Sequence, residues 1–295
     1  GQFKPPVKDW EDVIHLDYGN HDLWDAMIDA MKFWITETGI DGFRCDMAHL
    51  VPTHFWNRVR RDLDKIKPVY LLAESENHDL LEYAFDSIYN WKLLHAMNEL
   101  AAGNIKPEKL ARLVKNEMKY IPKGASFLNF TTNHDENSWQ GSAIERLHYY
   151  LEVLTVFTFL IPGIPLIYSG QEAGNFRRLK FFDKDEIEWK DDKMFGFFQK
   201  LIKLKQDNLA LKNNAIPEMI KNDSKGKAIS FILRSEGDRV LAVLNLSEKE
   251  QSIYMKCADI NGLWKNIMTD EQIQFNCSDK LRLKAFDRLV LVQIS

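Results

Sequence analysis

The chain has 295 residues, 45% hydrophobic, 12% aromatic and 28% charged, enough for one large domain with a smaller one beside it. A net charge of -4 with scattered Lys and Arg excludes a basic nucleic-acid-binding surface. The longest apolar run, Val153 to Tyr168, is broken by Pro162, Gly163 and Pro165, so no membrane span is expected.

The first residues, Gly1 to Pro6, lack a basic start followed by an apolar stretch, and no signal peptide is expected. Cys45, Cys257 and Cys277 show neither metal-ligand spacing nor a disulfide framework, although a Cys257–Cys277 bridge stays open. Asn20 is expected to cap a helix from Asp22 to Thr38, with Leu23, Met27, Ala30, Met31 and Trp34 on one face and Gly39 at its end. His21 then reads as a helix-start residue.

Gly42 to Met47 reads as the first strand. In it Arg44 and Asp46 fall at i and i+2, the spacing that puts two side chains on one strand face. A guanidinium beside a carboxylate lowers the pKa of the acid, which suits a nucleophile; a structural ion pair at a strand end is the plainer reading, and the pair alone favours it. Pro52-Thr53 opens a second helix through Phe55, Val59 and Leu63 to Lys67. The apolar run Val69 to Ala73, closed by Glu74, reads as a strand buried on both faces of a parallel sheet.

A short strand is expected at Phe85 to Tyr89, with helices at Trp91 to Ala102 and Pro107 to Tyr120. The strand Phe127 to Thr131 runs into Asn133, His134 and Asp135. A long helix over Ser142 to Leu160, a strand over Ile164 to Tyr168 and a helix over Met194 to Leu211 follow, the last with Phe197, Phe198, Leu201 and Leu204 along one side. This alternation implies parallel strands covered by helices. Past Asn213 the pattern changes to short segments such as Ile229 to Leu233, Val240 to Leu244 and Leu289 to Gln293, separated by turn residues including Glu236 to Asp238. An α/β domain over 1–214 and an antiparallel β domain over 215–295 are therefore expected.

Asp46, Glu74 and Asp135 each follow an apolar strand. In a (β/α)8 barrel reacting groups gather at the C-terminal ends of several strands, so these three acids are expected to meet in one pocket. Two carboxylates about 5 to 5.5 Å apart serve a retaining glycosidase as nucleophile and acid/base; singly, each acid also reads as a helix cap or a surface charge. Trp139 and Tyr89 offer aromatic faces for sugar rings, or core packing.

With these residues in hand, the chain resembles the C-terminal part of an α-amylase family glycoside hydrolase. Gly42-Phe43-Arg44-Cys45-Asp46 matches the segment ending that family's fourth barrel strand, Ala73-Glu74 the fifth-strand acid, and Phe130 to Asp135 the seventh-strand motif. Pro162 to Glu172 is similar to the eighth strand and its turn. The resemblance implies a (β/α)8 barrel followed by an antiparallel β-sandwich, and retaining hydrolysis of α-glucans or maltooligosaccharides. It makes Asp46 the nucleophile, kept ionised by Arg44, and Glu74 the acid/base; His134 and Asp135 would bind sugar hydroxyls. His49 is carried over as a substrate-binding residue, although His49-Leu50 stands where many family members have Lys followed by His.

The family's first signature, an Asp followed by Asn-His, has no match, so only the last five barrel strands are expected here. That implies a truncated or proteolysed chain inactive by itself, self-association, or a partner supplying the earlier strands; the family's structural calcium stays open for the complete protein, and no cofactor is needed for the chemistry. A transglycosylase with the same acids, discriminated by its acceptor, and a non-catalytic carbohydrate-binding protein are the competing readings. An α/β hydrolase lacks its Gly-x-Ser-x-Gly elbow. Compartment is not legible; a polysaccharide substrate would suggest secretion or the periplasm.

Overall fold

The side chain of Asn20 accepts from the Asp22 amide, and α1 (His21–Thr38) ends at Gly39, whose φ of 73° lies in the left-handed region. The computed structural model describes every residue except 1–3, 9, 11, 191, 213, 214, 236, 257, 277 and 295, which leaves the Cys257–Cys277 bridge outside the described residues. The chain divides into two units, Gly1–Tyr89 with Ile121–Ser126, and Asn90–Tyr120 with Phe127–Ser295.

In the first unit α1 buries Trp24, Ile28 and Ile35, not the stripe centred on Leu23, Ala30 and Trp34. Trp34 is 52% exposed. The two stripes differ by a small rotation of the helix, and it is the packing of Trp24 on Phe55, at 5.5 Å between ring centres, that selects one of them. Next come β1 (Gly42–Cys45), α2 (Thr53–Leu63), β2 (Tyr70–Ala73) and β3 (Ser87–Tyr89). β1 and β2 pair in parallel from Gly42↔Tyr70 to Cys45↔Ala73, and β2 pairs with β3 at Leu72↔Ser87 and Ala73↔Ile88. A Cβ on Gly42 would stand 1.8 Å from the Tyr70 carbonyl oxygen, so the close approach of these strands requires glycine. β2 is not buried on both faces: Leu71 and Ala73 are fully buried while Tyr70 is 39% exposed, an alternation with period two.

Arg60 locks this sheet from α2. It is buried and donates from Nε to the Ala84 carbonyl at 2.8 Å, from Nη1 to the Val69 carbonyl at 2.7 Å, and from Nη2 to Asp86 Oδ2 at 2.5 Å. Asp86 Oδ2 also accepts from the Leu71 amide at 2.7 Å.

The second unit contains α3 (Trp91–Ala101), α4 (Glu108–Glu117) and, from Phe127 onward, β4 (Ser126–Asn129). The expected helix over Ser142 to Leu160 is broken. It is α5 (Ala143–Leu147), a 3-10 turn (His148–Tyr150) and α6 (Leu151–Leu160), because His148 takes a φ of 47° that no α-helix continues. The expected strand to Tyr168 contracts to β5 (Ile164–Pro165), parallel to β4. Beyond it the Tyr168 amide donates to Gln171 Oε1 at 2.8 Å, a side-chain turn in place of the ladder. Buried Asn129 ties these elements, accepting from Asn90 Nδ2 at 2.8 Å and donating to the Pro162 carbonyl at 2.9 Å. α7 (Lys193–Asp207) buries Phe197, Phe198, Leu201 and Leu204 along the expected stripe.

The remaining strands are β6 (Glu218–Met219), β7 (Ala228–Ser235), β8 (Asp238–Asn245), β9 (Gln251–Tyr254), β10 (Gly262–Asn266), β11 (Gln272–Phe275), β12 (Lys280–Leu283) and β13 (Arg288–Gln293). Six form an antiparallel sheet in the order β11-β10-β13-β8-β7-β6, and β12 pairs with β9. Val240 to Leu244 of β8 are fully buried, and Trp264, Phe275, Leu241, Ile253 and Leu283 join the two sheets in one core. Parallel strands with interleaved helices, followed by antiparallel sheets, agree with part of a (β/α)8 barrel and a β domain. Among the described residues no helix is long and apolar enough to cross a membrane.

Candidate functional site

β1 stops at Cys45, one residue before Asp46, because the chain turns there: Met47 has a φ of 42°, unusual for a residue with a Cβ. The turn points the Met47 amide at Glu74 Oε2, 2.9 Å away. The backbone clasps the same residue, with the Glu74 amide donating to the Cys45 carbonyl at 2.9 Å and the Ala48 amide donating to the Glu74 carbonyl at 3.2 Å. Trp56 Nε1 holds the Ala48 carbonyl at 2.9 Å. Asp46 and Glu74 thus stand at the ends of adjacent parallel strands, where the registered pair Cys45↔Ala73 puts them.

Arg44 joins the two acids. Nη1 donates to Asp46 Oδ1, and Nη2 lies 2.9 Å from Glu74 Oε1. Its Nε donates to the Tyr89 hydroxyl at 3.3 Å, and its guanidinium lies 5.8 Å from the Tyr89 ring centre. Tyr89 is 3% exposed and therefore orients Arg44 instead of offering a face to a sugar. The side chains differ sharply in solvation: Asp46 is 73% exposed and Glu74 only 8%.

Burial pushes the Glu74 pKa up; the Met47 amide and Arg44 pull it back, Asp46 adds to the rise, and the balance lies above the ordinary carboxylate value. For Arg44 burial works against the cation, but Tyr89, Glu74 and Asp46 more than offset it and raise its pKa. The neighbouring Cys45 thiol is pushed up to about 12 by burial, which leaves it an inert packing group. His49 lies on the exposed side of the 3-10 turn Ala48–Leu50. His21 is the first residue of α1, with its ring 4.6 Å from that of Trp24, a helix-start and packing residue as the sequence implies.

In the second unit β4 ends at Asn129, so His134 and Asp135 do not directly follow the strand; buried Thr131, Thr132 and Asn133 carry the chain to them. Asn133 Oδ1 accepts from the Glu136 amide at 2.8 Å and opens a π-helical turn, Glu136–Gln140. The next turn is fixed by Arg146, which donates to the Thr131 carbonyl at 2.8 Å and the Gly141 carbonyl at 2.9 Å. His134 Nε2 lies 3.2 Å from Asp135 Oδ2, and both side chains are partly exposed. The Tyr168 phenol is pushed up, first by burial and then by the Asp135 and Asp185 carboxylates.

Trp139, at the end of the π-helical turn, is 55% exposed. Beside it stand Phe181 and Phe182, which carry no periodic or motif signal and which sequence reasoning missed. Among the described residues no group of three or more His, Cys, Asp or Glu side chains is placed to hold a metal ion.

No family model matches the chain. It is 29% identical over 242 residues to a cyclomaltodextrinase of a Bacillus species, covering 78% of this chain and 43% of that protein. It is 27% identical over 289 residues to neopullulanase 2 of Thermoactinomyces vulgaris, covering 92% of this chain and 48% of that protein. The chain thus spans less than half the length of these curated relatives. A noncanonic maltogenic α-amylase, AmyB, from Thermotoga neapolitana superposes with a TM-score of 0.85 at 26% identity, over 96% of this chain and 68% of that one. Motifs, fold and relatives point the same way: over most of its length the chain is similar to glycoside hydrolases of the α-amylase family.

Proposed function

We propose that the chain carries the reacting acids of a retaining hydrolase of α-glucosidic bonds, acting on starch-like α-glucans or maltooligosaccharides. The reading rests on one observation, the exposed Asp46 carboxylate and the buried, proton-favouring Glu74 held by the same guanidinium. That division of environments gives two like residues opposite roles. Asp46 attacks the anomeric carbon while the glycosidic carbon–oxygen bond breaks, and the Glu74 proton passes to the leaving oxygen. Water then adds to the anomeric carbon, gives its proton to the Glu74 carboxylate, and releases Asp46 from its ester. Arg44 sets a positive charge against the Asp46 carboxylate and, being tied to Tyr89, holds it in a fixed place. His134 and Asp135, in the second unit, are assigned to sugar hydroxyls of the α-glucan. The α-amylase, cyclomaltodextrinase and neopullulanase names of the relatives support the substrate class.

The test is release of reducing sugar from maltooligosaccharides by the complete protein, with the anomer of the first product followed by NMR. Asp46→Asn is expected to lose about 10⁴-fold or more in kcat. Wild-type turnover in that variant, or initial appearance of the β-anomer, would sink the assignment.

A further inference from the structure

Three large aromatic rings project beside His134 and Asp135, all within the second unit. Trp139 is 55%, Phe181 42% and Phe182 74% exposed. The rings form one surface: Trp139 and Phe181 lie 5.0 Å apart between centres, Phe181 and Phe182 5.0 Å apart at 79°, and Trp139 and Phe182 5.9 Å apart at 69°. An edge-on pair covers a face of only one of its two rings, and at these exposures ring surface stays open to the outside, most of all on Phe182. His134 continues the surface, stacked on Phe181 at 6.1 Å and only 19° from parallel, and Nε2 of the same imidazole faces Asp135 at 3.2 Å.

The segment carrying Phe181 and Phe182 is fixed at several points. Arg177 grips Asp185 with two bonds of 2.9 and 2.8 Å, and Asp185 also accepts from the Lys180 and Glu186 amides, each at 2.9 Å. The π-helical turn holds it from the side. Asn137 accepts from the Leu179 amide at 2.7 Å and donates to the Arg177 carbonyl at 3.2 Å, while Ser138 Oγ donates to the Leu179 carbonyl at 2.8 Å. Asp135 immediately precedes the element to which the segment is tied, and Trp139 lies in its last two residues. Rings held this way lose little freedom when a ligand covers them.

We propose that Trp139, Phe181 and Phe182 form a wall on which a glucosyl ring of an α-glucan stacks when the neighbouring sugar is held at His134 and Asp135. The proposal deepens the function proposed above and rests on it for the identity of the sugar. A pyranose has an apolar face of C–H bonds and a rim of hydroxyls. The wall offers the same division: aromatic faces within a rim of both charge signs, with Lys180 3.9 Å from Asp183 and Lys184 3.1 Å from Glu186. An apolar partner would leave those charges and the His134–Asp135 pair without use, whereas a sugar engages both.

Binding of maltoheptaose to the complete protein in an Asp46→Asn background, measured by titration calorimetry, separates this site from the chemistry. Phe182→Ala is expected to weaken binding about tenfold, Trp139→Ala by a similar factor, and Phe182→Tyr to restore it, since only the ring face is needed. In the active protein Phe182→Ala lowers kcat/KM for maltoheptaose by the same factor. Unaltered affinity in both alanine variants, failure of Phe182→Tyr to restore it, or no binding of maltoheptaose by the parent overturns the wall. Ring-dependent binding by a protein that does not hydrolyse maltoheptaose leaves the wall standing and removes the catalytic reading instead.

Discussion

Arg44 Nη2 lies 2.9 Å from Glu74 Oε1, and the other arm of the same guanidinium holds Asp46. That cation pulls the Glu74 pKa down and burial overrides it, whereas Asp46 stays open to solvent. This asymmetry fixes the sign of the first prediction.

Arg44→Met removes a charge that favours the anionic form of Glu74, so the Glu74 pKa rises further and the acid stays protonated to higher pH. On the proposed mechanism the alkaline limb of the pH profile of kcat/KM moves up. Asp46, without its cation, gives a lower maximum, reduced about tenfold or more. An alkaline limb that moves down would contradict the role of Glu74.

Glu74→Gln is expected to stabilise the protein at neutral pH. A carboxyl whose pKa is raised by folding adds stability below its unfolded pKa, and that stability is lost as pH rises through the folded pKa. The wild type carries this penalty at neutral pH; an amide of the same shape does not. Thermal unfolding should show a higher Tm for the variant at pH about 7 and no difference below pH about 4. Equal or lower Tm at neutral pH would mean that the bonds from Arg44 and Met47 outweigh desolvation.

Arg60→Ala leaves the Ala84 and Val69 carbonyls and Asp86 without their shared donor. Breaking a buried pair costs about 3 to 5 kcal/mol, and because the Asp86 side chain is 39% exposed the lower end, about 3 kcal/mol, is expected. The urea midpoint at constant slope reads this loss. A change under about 1 kcal/mol would show that water replaces the guanidinium freely.

Two glycines should respond differently to alanine. Gly39 has a positive φ of 73° with nothing within 4 Å of an added Cβ, so Gly39→Ala costs only the backbone strain, about 1 kcal/mol. Gly42→Ala drives a Cβ into the Tyr70 carbonyl and cannot be absorbed without parting β1 from β2. A loss of about 4 kcal/mol or more is expected, read as a fall in Tm or in soluble yield.

The chain order of helices and strands, and the acids Asp46 and Glu74 at strand ends, were legible in the sequence. An apolar run closed by a charge has a local cause: the chain leaves a buried strand where water begins. The caps at Asn20 and Gly39 were legible for the same reason, since each acts on its own neighbours. His148 was not. Its positive φ breaks an apolar stretch whose pattern runs on unchanged from Ser142 to Leu160.

What only the tertiary structure decided are relations between residues far apart in the chain. The rotation of α1 was set by Trp24 packing on Phe55, and the inward place of Tyr89 by Arg44, 45 positions away. Phe181 and Phe182 acquired meaning beside Trp139 because Asn137 and Ser138 hold their segment across about 40 residues. By itself the sequence determined which side chains carry charge and where strands end, since hydrophobic period and capping act over a few residues. Tertiary packing decided which of those charges are desolvated, as with Glu74 against Asp46, because burial depends on neighbours that local sequence does not name.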